Sequence, residues 1–204
     1  MARTSPYVHS RRKRWLDLAL ASLAAIPAAP ILAAAAVAIR LESRGHPIYR
    51  QRRVGHDGHA FDVVKLRTMV SGAEQMGAKL AVDEGDTRIT KVGAVLRRSS
   101  IDELPNLVNI FRGEMSIVGP RPTLQVQVDH YTERQLRRLE ARPGLTGWAQ
   151  VNGRASLPWP ERIELDVWYV ENRSLRLDAR ILARTAGVLL RRDFVYRGEA
   201  GGWR

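Results

Sequence analysis

The stretch Leu18–Ile39 constrains this chain more than any other: 22 consecutive residues carry no charge, and all but Ser22 are apolar or proline. As one continuous helix it would measure about 30 Å, the thickness of a bilayer's hydrocarbon core. A buried helix of a soluble domain would show a polar face, and this run has none. Three readings stay open: a signal peptide, a single spanning anchor, and a re-entrant hairpin that enters and leaves on one side. Arg11, Arg12, Lys13 and Arg14 ahead of the run suit a signal peptide, but its apolar stretch is usually about 7–15 residues. Pro27 and Pro30 near the middle each remove a backbone donor and crowd the preceding turn, which favours a bend. Basic residues also follow the run at Arg40, Arg44, Arg50, Arg52 and Arg53. A single span cannot hold both basic flanks at the cytoplasmic face, whereas a hairpin does. The re-entrant reading therefore ranks first, the spanning anchor second and the signal peptide third.

The rest of the composition describes a globular chain. Of 204 residues, 45% are hydrophobic, and the mean hydropathy of −0.27 conceals the apolar run. Cysteine is absent, which excludes a disulfide framework, a thiolate zinc site, an iron–sulfur cluster and a thiol nucleophile. Lys and Arg number 33 against 21 Asp and Glu, a net charge of +12. Such an excess calls for an anionic partner: nucleic acid, an acidic membrane surface, or a phosphorylated substrate.

Pattern and punctuation predict a mixed α/β, mainly helical fold. Two strand-like runs, Ile48–Gln51 and Phe61–Leu66, flank a glycine-rich turn at Gly55–Gly58. Residues 73–85 read as a loop or broken helix. Val92, Val95 and Leu96 have helical spacing, and a new helix is expected from Ser100 through Leu104, Leu107, Val108 and Phe111 to Gly113. After the turn Val118–Pro122, one amphipathic helix is expected over 125–140, then glycine-rich loop or short strand over 142–154. A helix over 160–172 follows, started by its proline. The last helix, capped by Asp178, sets Ile181, Leu182, Thr185, Val188 and Leu189 apart from Arg180, Arg184, Arg191 and Arg192. That pattern suits equally a membrane surface and a core-docked helix with a solvated basic face.

The run Arg97-Arg98-Ser99-Ser100-Ile101-Asp102-Glu103 is the strongest candidate for chemistry. Ser100 and Glu103 have capping-box spacing, which gives Glu103 a structural role. Asp102 falls in the first helical turn, where backbone N–H groups and the dipole favour anions. With Arg97 and Arg98 beside it, Asp102 could serve a diphosphate as metal ligand or nucleophile, or merely complement the dipole. Arg121 sits between Pro120 and Pro122, so its guanidinium fork is presented to an anion with little entropic loss. Lys65 and Arg67 add charge after a strand, or face water. His9, His46, His56, His59 and His130 form no helical ligand pair, and neither a dinucleotide fingerprint, a P-loop nor a nucleophile elbow is present.

Taken together, these blocks resemble the monotopic phosphoglycosyl transferases of the bacterial sugar transferase family. The resemblance runs from Lys13 to about Leu190. It is carried by Lys13-Arg14-Trp15-Leu16-Asp17, Gln51–Gly55, Phe61–Met69, Ser100–Leu107, Asn109–Pro122 and Arg142–Arg154, in that order. It implies transfer of a sugar-1-phosphate from a UDP-sugar to polyprenyl (undecaprenyl) phosphate with release of UMP, an early membrane step of glycoconjugate or exopolysaccharide synthesis. The family's Asp–Glu dyad carries over onto Asp102 and Glu103, with Asp102 as covalent nucleophile and Mg²⁺ ligand. Arg97 and Arg121 match positions that contact phosphate or carboxylate. Substrate contacts are also expected from Pro120, Pro122, Lys65, Arg67, Asn152 and Arg154, and membrane roles from Lys13, Arg14, Asp17, Pro27 and Pro30. The family's re-entrant helix breaks at a Ser-Pro pair; here Ala29 precedes Pro30 and Pro27 adds a second interruption. Residues 1–45 would then form a basic N-terminus and membrane hairpin, and 46–204 a catalytic domain facing the cytoplasm at the inner membrane of a bacterium. Interfacial amphipathic helices and a possible homodimer complete the expectation. A basic scaffold or nucleic-acid binder is the alternative; it lacks any helix-turn-helix, zinc-finger or aromatic RNA-binding pattern.

Overall fold

A computed structural model describes residues 10–76, 85–153 and 157–191. The first element, α1 (Arg11–Glu42), is continuous through Pro27 and Pro30. Alanine's high helix propensity supports such a run, and the expected break does not interrupt it. One stripe of α1 is buried: Lys13, Asp17, Ala21, Ala28, Ala35 and Ile39. Their spacings of four and seven keep them on one face. Elsewhere Trp15, Leu23, Ile26, Val37 and Leu41 are exposed, Leu41 at 84%.

Both ends of α1 are fastened to the same body. Near its start, Arg14 donates to the carbonyls of Ile110 and Phe111 at 2.6 and 3.0 Å. Asp17 accepts from the Ser116 hydroxyl and from the Ile117 N–H at 3.1 Å. Lys13 bridges Asp17 at 3.0 Å and Asp178 at 2.7 Å, all three being buried. Near its end, the Glu42 carboxylate accepts from the N–H groups of Lys91 and Val92. Ala35 and Ile39 pack with Leu66 and Leu96.

The body begins with an antiparallel hairpin, β1 (Ile48–Val54) and β2 (Ala60–Leu66), in which Tyr49 faces Lys65 and Arg53 faces Phe61. Helix α2 (Lys91–Arg98) is capped by Thr90, whose side chain accepts from Gly93 N–H. A Cβ on Gly93 would lie 2.0 Å from the Thr68 carbonyl, so only glycine lets α2 approach the segment after β2. A 3-10 segment, Ile101–Asn106, leads into α3 (Leu107–Arg112), closed by Gly113 in the left-handed conformation. Strands β3 (Ser116–Val118) and β4 (Gly144–Thr146) then pair in parallel.

The helix expected over 125–140 is divided into α4 (Gln125–Val128), α5 (Glu133–Leu136) and a 3-10 turn, Arg137–Glu140. A second start signal causes this: Thr132 and Gln135 form their own capping box inside the expected helix. After β4 come α6 (Trp148–Val151), α7 (Trp159–Asn172) and α8 (Leu175–Arg191). Asp178 is not the cap of α8. Ser174 takes that role, accepting from the Leu177 N–H at 3.2 Å, while the Lys13 ammonium draws the Asp178 carboxylate inward. Leu177 and Ile181 are buried and Thr185 bonds Thr146, so α8 docks on the core with Arg176, Arg180 and Arg184 outward. Arg192 lies outside the described residues.

Candidate active site

Three segments converge on one cluster. The end of β2 supplies Lys65 and, just beyond it, Thr68. The end of α2 and the 3-10 turn after it supply Arg97, Asp102 and Glu103, and the Gly-Pro-Arg-Pro turn supplies Arg121. Ser100 makes the corner between α2 and the 3-10 segment, with φ of 57°. In that left-handed conformation it makes no side-chain cap, so the expected capping box does not form. Its partner Glu103 is drawn instead to two cations, which attract a carboxylate more strongly than a neutral N–H does. Lys65 Nζ lies 2.6 Å from Glu103 Oε1, and Arg121 Nη2 lies 2.5 Å from the same oxygen. Burial raises the Glu103 pKa, but Arg121 and Lys65 more than reverse this and hold it well below the usual carboxylate range.

Asp102 is its opposite. Among the described residues its side chain has no hydrogen bond or ion pair, although Lys65, Arg97 and Arg121 all act on its charge. Burial first, then the neighbouring Glu103, push its carboxyl up to about 6. Two adjacent acids thus divide the work: Glu103 holds the cations in place, and Asp102 is left with its oxygens available. Arg97 is aimed by its Nε–H bond to the Thr68 hydroxyl at 2.7 Å.

The turn bearing Arg121 is fixed on both sides. Pro120 is buried and its carbonyl accepts from Gly144 N–H at 2.8 Å, while beyond Pro122 the Thr123 carbonyl accepts from Val54 N–H at 2.8 Å. Cβ atoms on Gly119 or Gly144 would strike the facing backbone at 2.2 and 2.1 Å, so this contact requires both glycines. Behind the turn, buried Arg138 donates to the Arg121 carbonyl at 3.0 Å, to the Tyr131 hydroxyl at 2.5 Å and to Asp166. Its guanidinium also lies within 6 Å of the Tyr131 and Trp159 ring centres, at 5.6 and 5.8 Å.

Of the residues singled out from sequence, Asp102, Glu103, Arg97, Lys65 and Arg121 come together, with Pro120 and Pro122 framing the last. Arg67 is engaged elsewhere, by the carbonyls of Ser43 and Arg44 at 2.8 and 2.5 Å, because those groups follow the end of α1 and need donors. Asn152 closes α6 on the Trp148 carbonyl and accepts from Arg184 at 2.9 Å. Arg154 lies outside the described residues. Lys13, Arg14 and Asp17 bond within the body. Sequence reasoning missed Arg53, Thr68, Arg138 and Asp166. Hairpin register could have pointed to Arg53; the Arg138–Asp166 pair is separated by 28 residues and left no local signal.

Comparison with known proteins identifies the family. Residues 8–192 match the family described as "Bacterial sugar transferase". This chain belongs to the bacterial sugar transferase family. A relative from Caulobacter vibrioides, named UDP-glucose:undecaprenyl-phosphate glucose-1-phosphate transferase, is 45% identical across 91% of this chain and 72% of its own length. The exopolysaccharide production protein ExoY of Rhizobium meliloti is 37% identical, covering 85% of this chain and 83% of itself. An Aeromonas hydrophila UDP-N-acetylgalactosamine-undecaprenyl-phosphate N-acetylgalactosaminephosphotransferase is 42% identical over 87% of this chain but only 43% of its own length. The sugar transferase is therefore an enzyme, and the matched region holds the whole Asp102 cluster.

Proposed function

We propose that this sugar transferase moves a sugar-1-phosphate from a UDP-sugar to polyprenyl phosphate through a covalent intermediate on Asp102, at the cytoplasmic face of a bacterial inner membrane. The observation that carries the reading is the unpartnered Asp102 carboxylate among Lys65, Arg97 and Arg121, beside a Glu103 that is fully engaged. An Asp102 oxygen attacks the sugar-bearing phosphorus and forms a P–O bond. The bridging P–O bond breaks, and UMP departs with that electron pair. A lipid phosphate oxygen then attacks the same phosphorus and frees the Asp102 carboxylate, giving polyprenyl-diphospho-sugar. Arg97 and Arg121 lower the repulsion between anions, and splitting the transfer lets the soluble product leave before the lipid enters.

Among the described residues, no group of three or more His, Cys, Asp or Glu forms a metal cage. The donor set fits Mg²⁺ all the same, because that ion takes one or two carboxylates and completes its shell with phosphate and water. Asp102 would hold it, and the ion would supply charge neutralisation at the diphosphate.

The attachment of α1 supports a same-side topology. Arg14 and Glu42, near opposite ends of α1, both bond to one body, which favours their lying on one side of the membrane. The exposed apolar residues of α1 are then the surface offered to lipid, which supports a monotopic arrangement.

Incubation of the purified protein with radiolabelled UDP-sugars and Mg²⁺ tests the chemistry. UMP should appear and label should attach to protein, and D102N should abolish both. Normal turnover by D102N would overturn the assignment of the nucleophile. A panel of UDP-sugars in the same assay identifies the donor.

A further inference from the structure

We propose that Arg53 and Arg121 form an anion subsite for a second phosphate group, the one that Asp102 does not attack. The inference rests on the proposed transfer reaction and adds a binding residue to it. Alternation along β1 puts Tyr49, Gln51 and Arg53 on one face, and register pairs Tyr49 with Lys65, the residue that reaches Glu103. Arg53 therefore projects from the hairpin face that lines the cluster, where it is partly buried.

Its charge has no dedicated counter-ion. Nε and Nη2 of Arg53 both donate to the neutral Gln51 side chain, the former at 3.0 Å, and no carboxylate of the described residues lies within ion-pair distance. The two acids that act on it are otherwise engaged: Glu103 by Lys65 and Arg121, and Glu74 by the Tyr49 hydroxyl. Burial, followed by repulsion from Arg121, lowers the Arg53 guanidinium to about 10. The Val54 N–H bond to Thr123 ties the strand of Arg53 directly to the turn of Arg121, so the two guanidiniums cannot drift apart freely. Among the described residues, the cluster gathers four cations, Arg53, Lys65, Arg97 and Arg121, around Asp102 and Glu103; the further acids that act on it, Glu74, Asp86 and Asp166, are held by Tyr49, Arg88 and Arg138. A phosphate dianion would neutralise that surplus and relieve the Arg53–Arg121 repulsion.

Two phosphates have this chemistry: the nucleoside monophosphate half of the donor and the phosphate of the lipid acceptor. The test uses the full chain in detergent, with Arg53→Gln and Arg53→Lys. Calorimetric titration with inorganic pyrophosphate should show about tenfold or weaker binding for R53Q, the loss of one charge-assisted contact, and a smaller loss for R53K. Kinetics then separate the sources. A raised KM for UDP-sugar in UMP release assigns the subsite to the nucleotide phosphate. A raised KM for polyprenyl phosphate in discharge of the labelled enzyme assigns it to the lipid. Wild-type pyrophosphate affinity in R53Q, or a loss confined to kcat with both KM values unchanged, would overturn the proposal. If R53Q loses pyrophosphate binding while the wild-type chain releases no UMP from any UDP-sugar, the subsite stands and the transfer reading fails. If the wild-type chain releases UMP and R53Q binds pyrophosphate unaltered, the transfer reading stands and the subsite fails.

Discussion

At the residue scale, the site depends on unequal treatment of two neighbouring acids. Burial first, then Glu103, push the Asp102 carboxyl up to about 6 from an ordinary 3.8. A raised carboxyl makes the native state bind more protons than the unfolded chain, so stability falls as pH rises from about 4 to 6 and the penalty is complete above. In metal-free buffer D102N should therefore melt higher than wild type at pH 7.5, and the gap should close below pH 4; scanning fluorimetry across pH reads both. The Arg138–Asp166 pair makes a different prediction. Arg138→Met strands a buried carboxylate and should cost about 3–5 kcal/mol, and adding Asp166→Asn should restore part of the loss. A thermal double-mutant cycle measures the coupling. Because Arg138 also holds the Arg121 carbonyl, the single variant should slow UMP release beyond what its stability loss explains.

At the scale of elements, the outcome was decided by corners. The apolar spacing of Leu104, Leu107, Val108 and Phe111 and the stop at Gly113 were legible, and α3 ends where expected. Ser100 was not, because its sequence fits a capping box equally well; only the cations waiting at Lys65 and Arg121 pull Glu103 away. Its left-handed backbone costs a non-glycine residue about 1–2 kcal/mol. Ser100→Gly should leave stability equal or higher, whereas Ser100→Val should destabilise by a similar amount and lower the rate of enzyme labelling. Melting curves together with radiolabel incorporation check this. In the 125–140 region the deciding signal was local. Its internal Thr132–Gln135 box was visible in the sequence, yet helical periodicity obscured it.

At the scale of the whole molecule, topology is the open quantity with the sharpest test. The chain has no native cysteine, so Ser10→Cys and His46→Cys each provide a unique label site on either side of the apolar run. Both should react with impermeant maleimide only when added from the cytoplasmic side. Opposite-side labelling would identify a spanning helix and contradict the shared anchoring of the two ends of α1. The surplus of positive charge also resolves at this scale. Lys13, Arg14, Arg67 and Arg138 satisfy carbonyls and carboxylates inside the body. Arg53, Arg97 and Arg121 remain at the site, and Arg176, Arg180 and Arg184 face outward on α8.

The sequence alone determined what depends on local order: an uncharged run too apolar for an ordinary soluble helix, the hairpin, α2, α7 and the C-terminal end of α3 (though not its start, which is a 3-10 segment over 101–106), and a row of blocks specific enough to carry the family resemblance. Neighbouring residues set periodicity, caps and turns, so these were readable from the chain itself. Tertiary structure alone decided which charges meet. It bound Glu103 to Lys65 and Arg121, left Asp102 unpartnered, placed Arg138 and Asp166 behind the turn, and brought Arg53 near enough to Arg121 for their charges to repel. Coulomb and hydrogen-bond energies depend on distance in space, and the partners are separated by up to 68 residues in the chain between Arg53 and Arg121.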